Sequence, residues 1–286
     1  MSRVRTAVAT EVLLLLGLVA FVAAAFLVER GAGIEGAVTL GRVPRIAFAA
    51  LPALLWLGYF RARDSQELEP RPLVLALFLG GALVAAPVAG LVTDLALASS
   101  VGDGPGFDRF GAARLVSAFL VVALGQELVK YLVVRYSVYP LPEVSHPVDG
   151  LIYATAVGLG FAAYRSHELL AAQGDAVVLS VGAARVVTTT LAHASFASVL
   201  GLALGWAKFW PSGPLRRGLV LGGGLALATA LNGIFSLVEG AIAAPGLDIA
   251  PWRGVAFAFG FAALVLVAVS FPMRKMVAAA ARRDAS

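Results

Sequence analysis

The stretch Phe110–Tyr139 reads FGAARLVSAFLVVALGQELVKYLVVRYSVY. It is a long apolar run with Gln126, Glu127 and Lys130 set into its middle. About 20 apolar residues suffice to cross a bilayer as a helix. A soluble helix of this length would show a charged face, and here, between Arg114 and Arg135 near the ends, the charges are confined to one turn. The run therefore predicts a membrane-crossing helix that carries ionisable groups below the surface.

The rest of the chain agrees. Of its 286 residues 60% are hydrophobic and only 14% charged, with a mean hydropathy of +0.89. A soluble domain is about a quarter charged, and disorder needs low hydrophobicity, so both are excluded. Seven further apolar runs flank the first: Val12–Val28, Ile46–Phe60, Leu73–Ala98, Val148–Leu170, Val177–Trp206, Gly218–Ala243 and Trp252–Met273. Val12–Val28, with Arg3 and Arg5 before it, competes with a signal-peptide reading cut near Ala23–Ala25. It is long for a signal peptide and seven runs follow, so a retained helix is expected. Period-2 alternation is absent, which argues against a barrel. The expected fold is all-α, a polytopic bundle of about eight transmembrane helices. An N-terminal span and loop (1–44) precedes a membrane domain (45–273) and a basic tail (274–286).

Net charge is +5. The basic residues sit between apolar runs and lack the interleaved aromatics of a single-strand groove, so nucleic acid is not an expected partner and the lipid bilayer is. Thirteen Lys and Arg fall at one set of loops, from Arg3 and Arg5 through Arg135, Lys208 and Arg217 to Arg283, against seven at the other. By the positive-inside rule both termini are expected in the cytoplasm. Cysteine is absent, which removes disulfides, Cys-ligated zinc and thiol catalysis.

An ionisable group inside the bilayer costs at least about 2.5–3.5 kcal/mol, so such groups are functional candidates. Glu127 and Lys130 are three apart and Gln126 and Lys130 four, which puts all three on one helix face. At 1.5 Å per residue Glu127 lies roughly 12–15 Å below the surface. Either a self-neutralising structural pair or a general base held by Lys130 fits that spacing. Arg185, Thr189 and His193 form an i, i+4, i+8 stripe on the sixth run. Asn232, Ser236 and Glu239 form a similar stripe at i, i+4, i+7 on the seventh, where interhelical hydrogen bonding is the plainer role. Asp149 stands at the start of the fifth run, where it suits a helix cap. Asp94, inside the third run, looks buried, and Arg165 lies near the non-cytoplasmic end. The three histidines do not pair as His-x-x-x-His, so neither metal nor cofactor is expected.

These motifs in their order resemble those of the PrsW-type intramembrane proteases, a family described as glutamic-type and earlier as metalloproteases. The family's Glu-Glu-x-x-Lys reads here Gln126-Glu127-Leu128-Val129-Lys130. Its Tyr-Pro loop and Asp-Gly helix start resemble Tyr139-Pro140 and Asp149-Gly150. Its Gly-Phe-Ala segment resembles Gly160-Phe161-Ala162, and its Arg and His-Ala resemble Arg185 and His193-Ala194. Asp64 and Glu69-Pro70 are similar to its first loop. The resemblance covers about 45–273. Three motifs depart from it: Gln126 replaces the first Glu, Arg165-Ser166 replaces Glu-Asn, and Asn232 and Ser236 replace a His and a later Asn or Asp.

The resemblance implies a protease of the bacterial cytoplasmic membrane that cuts membrane-spanning or membrane-near peptides, an anti-sigma factor being the familiar kind of single-span substrate. It implies Glu127 as base, with His193 or Asn232 donating to the oxyanion, and Gln126 and Lys130 beside them. Asp149, Arg165, Arg185, Thr189 and Ser236 are the expected substrate-binding or structural polar residues. An Arg165 pointing inward would weaken Glu127 as a base, or it would form a buried ion pair locking the helices. Two other readings stay open. One is a pseudoprotease that holds a transmembrane helix without cutting it. The other is a small transporter, which the apolar first, second and eighth runs disfavour.

Overall fold

The computed structural model of the chain describes residues 2–34, 36–63, 70–100, 107–172, 176–210, 213–242 and 251–284. Asp64 and Glu69 lie outside them. The described helices are α1 (Ser2–Gly31), α2 (Arg42–Arg63), α3 (Arg71–Gly80), α4 (Ala86–Ser100), α5 (Phe107–Ser137), α6 (Pro147–Ala172), α7 (Leu179–Phe209), α8 (Pro214–Ile242) and α9 (Pro251–Asp284). A single π turn, Gly81–Ala85, joins α3 to α4, so eight continuous helical runs correspond to the eight apolar runs. Five of them, among the described residues, are long and apolar enough to cross a membrane. The chain is a polytopic helical membrane protein.

Proline marks the entrances. α6, α8 and α9 begin on Pro147, Pro214 and Pro251, and Pro72 is the second residue of α3. At these positions the missing N–H has no intrahelical partner to lose. Asp149 completes the start of α6. Its Oδ2 accepts from the backbone N–H of His146 at 2.6 Å and of Ser145 at 2.7 Å. This is the carboxylate half of a capping box.

α7 is the axis of the bundle. Within its apolar span 83% is buried, against 22–33% for the other four. α6 lies along it at backbone contact. A Cβ on Gly150 would sit 2.8 Å from the Gly201 carbonyl oxygen, and one on Gly201 would sit 2.5 Å from that of Gly150. On the other side of α6, Cβ atoms on Gly160 and Gly81 would collide with the carbonyl oxygens of Phe78 and Val157. Where lipid supplies no hydrophobic drive between helices, this closeness holds them by dispersion. Apolar side chains facing outward, such as Leu83, Leu91, Leu264 and Val267, form the lipid-facing surface. Asp94 is exposed, not buried.

Two features of the bundle ends have no signal in the hydropathy. A two-residue antiparallel ladder, β1 (Val38–Thr39) on β2 (Ala176–Val177), ties the α1–α2 loop to the α6–α7 loop. Beside it Glu29 of α1 accepts the Ser180 N–H at 3.0 Å, satisfying an orphan donor in the first turn of α7. At the opposite end Lys208 of α7 donates to the carbonyls of Tyr139 and Leu141 at 2.8 and 3.1 Å. Each tie joins loops that eight alternating crossings would place on the same side.

Candidate active site

Four helices deliver one polar cluster into the apolar interior. α5 supplies Glu127 and Lys130, neither of them measurably exposed. α7 supplies His193, midway along its length, and α8 supplies Asn232; both are buried. α6 supplies an aromatic wall, Phe161.

Lys130 Nζ is the hub. It donates to Glu127 Oε1 at 2.6 Å and stands 3.3 Å from His193 Nδ1. It lies 4.9 Å from the centre of the Phe161 ring and 5.7 Å from that of Phe196. The same two rings bracket the His193 imidazole edge-to-face, at 4.7 and 5.6 Å. An ammonium needs this company in a dry interior. A carboxylate neutralises it, and ring faces add about 0.5–2 kcal/mol each. Because the ammonium has donors only, His193 Nδ1 accepts from it, which puts the imidazole proton on Nε2.

Asn232 closes the cluster from α8. Its Nδ2 donates to Glu127 Oε1 at 2.8 Å and to Gln126 Oε1 at 3.0 Å. Ser236, one turn on, donates to the Asn232 carbonyl at 3.0 Å and lies 3.5 Å from its Oδ1. Gln126 thus acts as an acceptor that orients Asn232. One carboxylate oxygen therefore takes two donors, while Glu127 Oε2 is buried and has no partner. A buried carboxylate oxygen without a donor is costly. It is the one open acceptor position in the cluster, beside a cation and two amide groups.

The other candidates lie elsewhere. Arg165 is one-third exposed and pairs at 2.5 Å with Glu168 on its own helix. It neither pairs with Glu127 nor locks two helices, though its charge reaches His193. Arg185 is exposed, and the Thr189 hydroxyl donates to the Arg185 carbonyl at 2.9 Å. The stripe Arg185–Thr189–His193 spans about 12 Å of helix, and its His193 end alone reaches the cluster. Asp149 is committed to its cap. Sequence reasoning did not single out Phe161 and Phe196 as walls. Phe196 sits three residues after His193, so its shared face was readable; Phe161 reaches His193 from another helix.

The family described as PrsW family intramembrane metalloprotease matches residues 69–269. The chain is 34% identical to protease PrsW of Geobacillus kaustophilus over 57% of this chain and 67% of that protein. It is 28% identical to protease PrsW of Bacillus subtilis over 57% and 69%. For the Clostridioides difficile protein the figures are 26%, 66% and 76%. The alignments span about two thirds of the length of the curated relatives they match. No solved structure matches the chain.

The family description implies a metal, and the residues here do not fit one. Among the described residues no three His, Cys, Asp or Glu side chains gather. Glu127 and His193 are two potential ligands, and the Lys130 ammonium already bridges them. A divalent site takes three or four protein ligands, and an ammonium in their midst would repel the ion.

Proposed function

Since the chain belongs to the PrsW family of intramembrane proteases, we propose that it hydrolyses peptide bonds in membrane-spanning or membrane-proximal polypeptides with Glu127 as general base. The observation that carries this reading is the buried, partnerless Glu127 Oε2. A water donating to that oxygen is polarised for attack on a carbonyl carbon. Glu127 takes the water's proton as the new C–O bond forms, and returns it to the departing amine as the C–N bond breaks. The oxyanion meets the His193 Nε2–H, and Asn232 Nδ2 joins it by turning one hydrogen away from Gln126 Oε1. Lys130 keeps the carboxylate oriented through Oε1, and Gln126 positions Asn232. The substrate class is a single-span membrane protein, such as an anti-sigma factor, and the chain sits in a bacterial cytoplasmic membrane with both termini inside.

The test is cleavage of tagged single-span membrane proteins by wild type and by Glu127→Gln, compared at equal folded protein. General-base loss lowers turnover about 10²–10⁴-fold; cleavage at the wild-type rate in the variant refutes the role of Glu127. A second reading, a helix-binding protein that does not cut, is favoured by Gln126, whose carboxamide leaves Glu127 the one acid in its pair. It predicts that crosslinkers placed near Gln126 trap a partner helix while wild type forms no product.

A further inference from the structure

At the end of the bundle opposite the β1–β2 ladder, three helices converge on one tyrosine. The Arg135 guanidinium of α5 lies 4.8 Å from the Tyr139 ring centre and 5.8 Å from that of Tyr136. The Lys208 ammonium of α7 lies 5.4 Å from the Tyr139 ring. Arg217, on the first turns of α8, is exposed, and its charge acts with that of Arg135 on the Tyr139 hydroxyl. Among the described residues no carboxylate forms an ion pair with this trio. Asp149 acts on Lys208, but its Oδ2 is held by the N–H groups of Ser145 and His146. Lys208 spends two donors on carbonyls, and neither guanidinium has an ion-pair partner among the described residues.

We propose that Arg135, Lys208 and Arg217 form a binding site for the phosphate of an anionic lipid headgroup. Guanidinium forks with a nearby ammonium suit a tetrahedral, multiply charged oxyanion better than a planar carboxylate. The rim says which phosphate. Tyr136 is 76% exposed, Leu215 78% and Leu219 67%, so apolar side chains stand beside the cations where acyl chains begin. A soluble anion has no use for that rim. Tyr139 and Leu141 belong to the α5–α6 connection, and Lys208 to the last turn of α7. A headgroup seated here bridges α5, α7 and α8, the helices that carry Glu127, His193 and Asn232.

The experiment uses the full chain in neutral detergent, exposed to phosphatidylcholine vesicles with or without phosphatidylglycerol, with retained lipid counted by native mass spectrometry. Each interfacial charge changes affinity about fivefold. Arg135→Gln/Arg217→Gln is therefore expected to lose about twenty-five-fold in phosphatidylglycerol retention, and Arg135→Lys to keep most of it. Arg274→Gln/Lys275→Gln on α9 removes the same charge elsewhere and is expected to match wild type. Equal loss in that control, or unchanged retention in Arg135→Gln/Arg217→Gln, overturns the site. A thermal shift by inorganic phosphate alone, equal to that by phosphatidylglycerol, overturns the lipid assignment.

Discussion

Lys130→Met removes the hub of the buried cluster while keeping its apolar stem. Glu127 is then left wholly buried with Asn232 as its donor, since the 2.6 Å ion pair is gone. Taking one partner from a buried pair costs about 3–5 kcal/mol, because the remaining charge has no compensation. Glu127→Gln costs a similar amount for the mirror reason, stranding the ammonium against His193, Phe161 and Phe196. The double variant Glu127→Gln/Lys130→Met removes both charges and keeps an amide oxygen for Asn232 Nδ2. It is expected within about 1–2 kcal/mol of wild type, since neutral replacement of a whole buried pair is often free of penalty. At about 2–4 °C per kcal/mol, each single variant should melt roughly 6–20 °C below wild type in detergent, and the double variant close to it. Cleavage is expected to fall about 10²–10⁴-fold in the double variant, which makes it the folded control for loss of the base. Single variants that melt with wild type would refute the desolvated pair. A double variant as unstable as the two losses added would show that the residues do not act on each other.

Asn232→Ala removes the donor to Glu127 and Gln126, and turnover should fall about 10²–10³-fold with binding of a substrate helix retained; a change confined to binding would count against an oxyanion role. Asp149→Ala frees the first turn of α6 and should cost about 0.5–2 kcal/mol of stability while turnover per folded molecule holds, read by unfolding and cleavage on the same preparation. Arg165→Gln breaks a pair about one-third exposed and worth about 0–1 kcal/mol, so cleavage should stay within about twofold, and a large loss would place Arg165 in the substrate path. Gly160→Leu drives a side chain into the Phe78 backbone, and the variant should fail to accumulate in the membrane, measured against Gly240→Leu, where the space is open.

The fold was legible because hydropathy runs report membrane helices directly. The π turn and the two-residue ladder were not, since each depends on backbone pairing without any composition of its own. In the site, spacing alone put Glu127 and Lys130 on one face, and the structure pairs them. It also put Arg185, Thr189 and His193 on one face, but a shared stripe on a helix buried nearly all round does not say which level meets a partner. Arg165–Glu168 was readable as an i, i+3 pair and is one. What joins Glu127 to His193 and Asn232 is the crossing of α5, α7 and α8, and no local pattern encodes that.

The π turn at Gly81–Ala85 sets the angular phase of one span. α3 turns Phe78 inward, and α4 turns Ala86 and Ala89 inward, while Leu83 and Val84 between them face out. The turn fits one extra residue into a single coil, so a one-residue deletion there lets it rewind to α geometry with the phase of α4 almost unchanged. The same deletion in a span without such a turn rotates everything C-terminal by about 100°. The turn is thus slack in length but not in composition, since any Cβ on Gly81 meets the Val157 carbonyl; a deletion scan passes over it and an alanine scan does not.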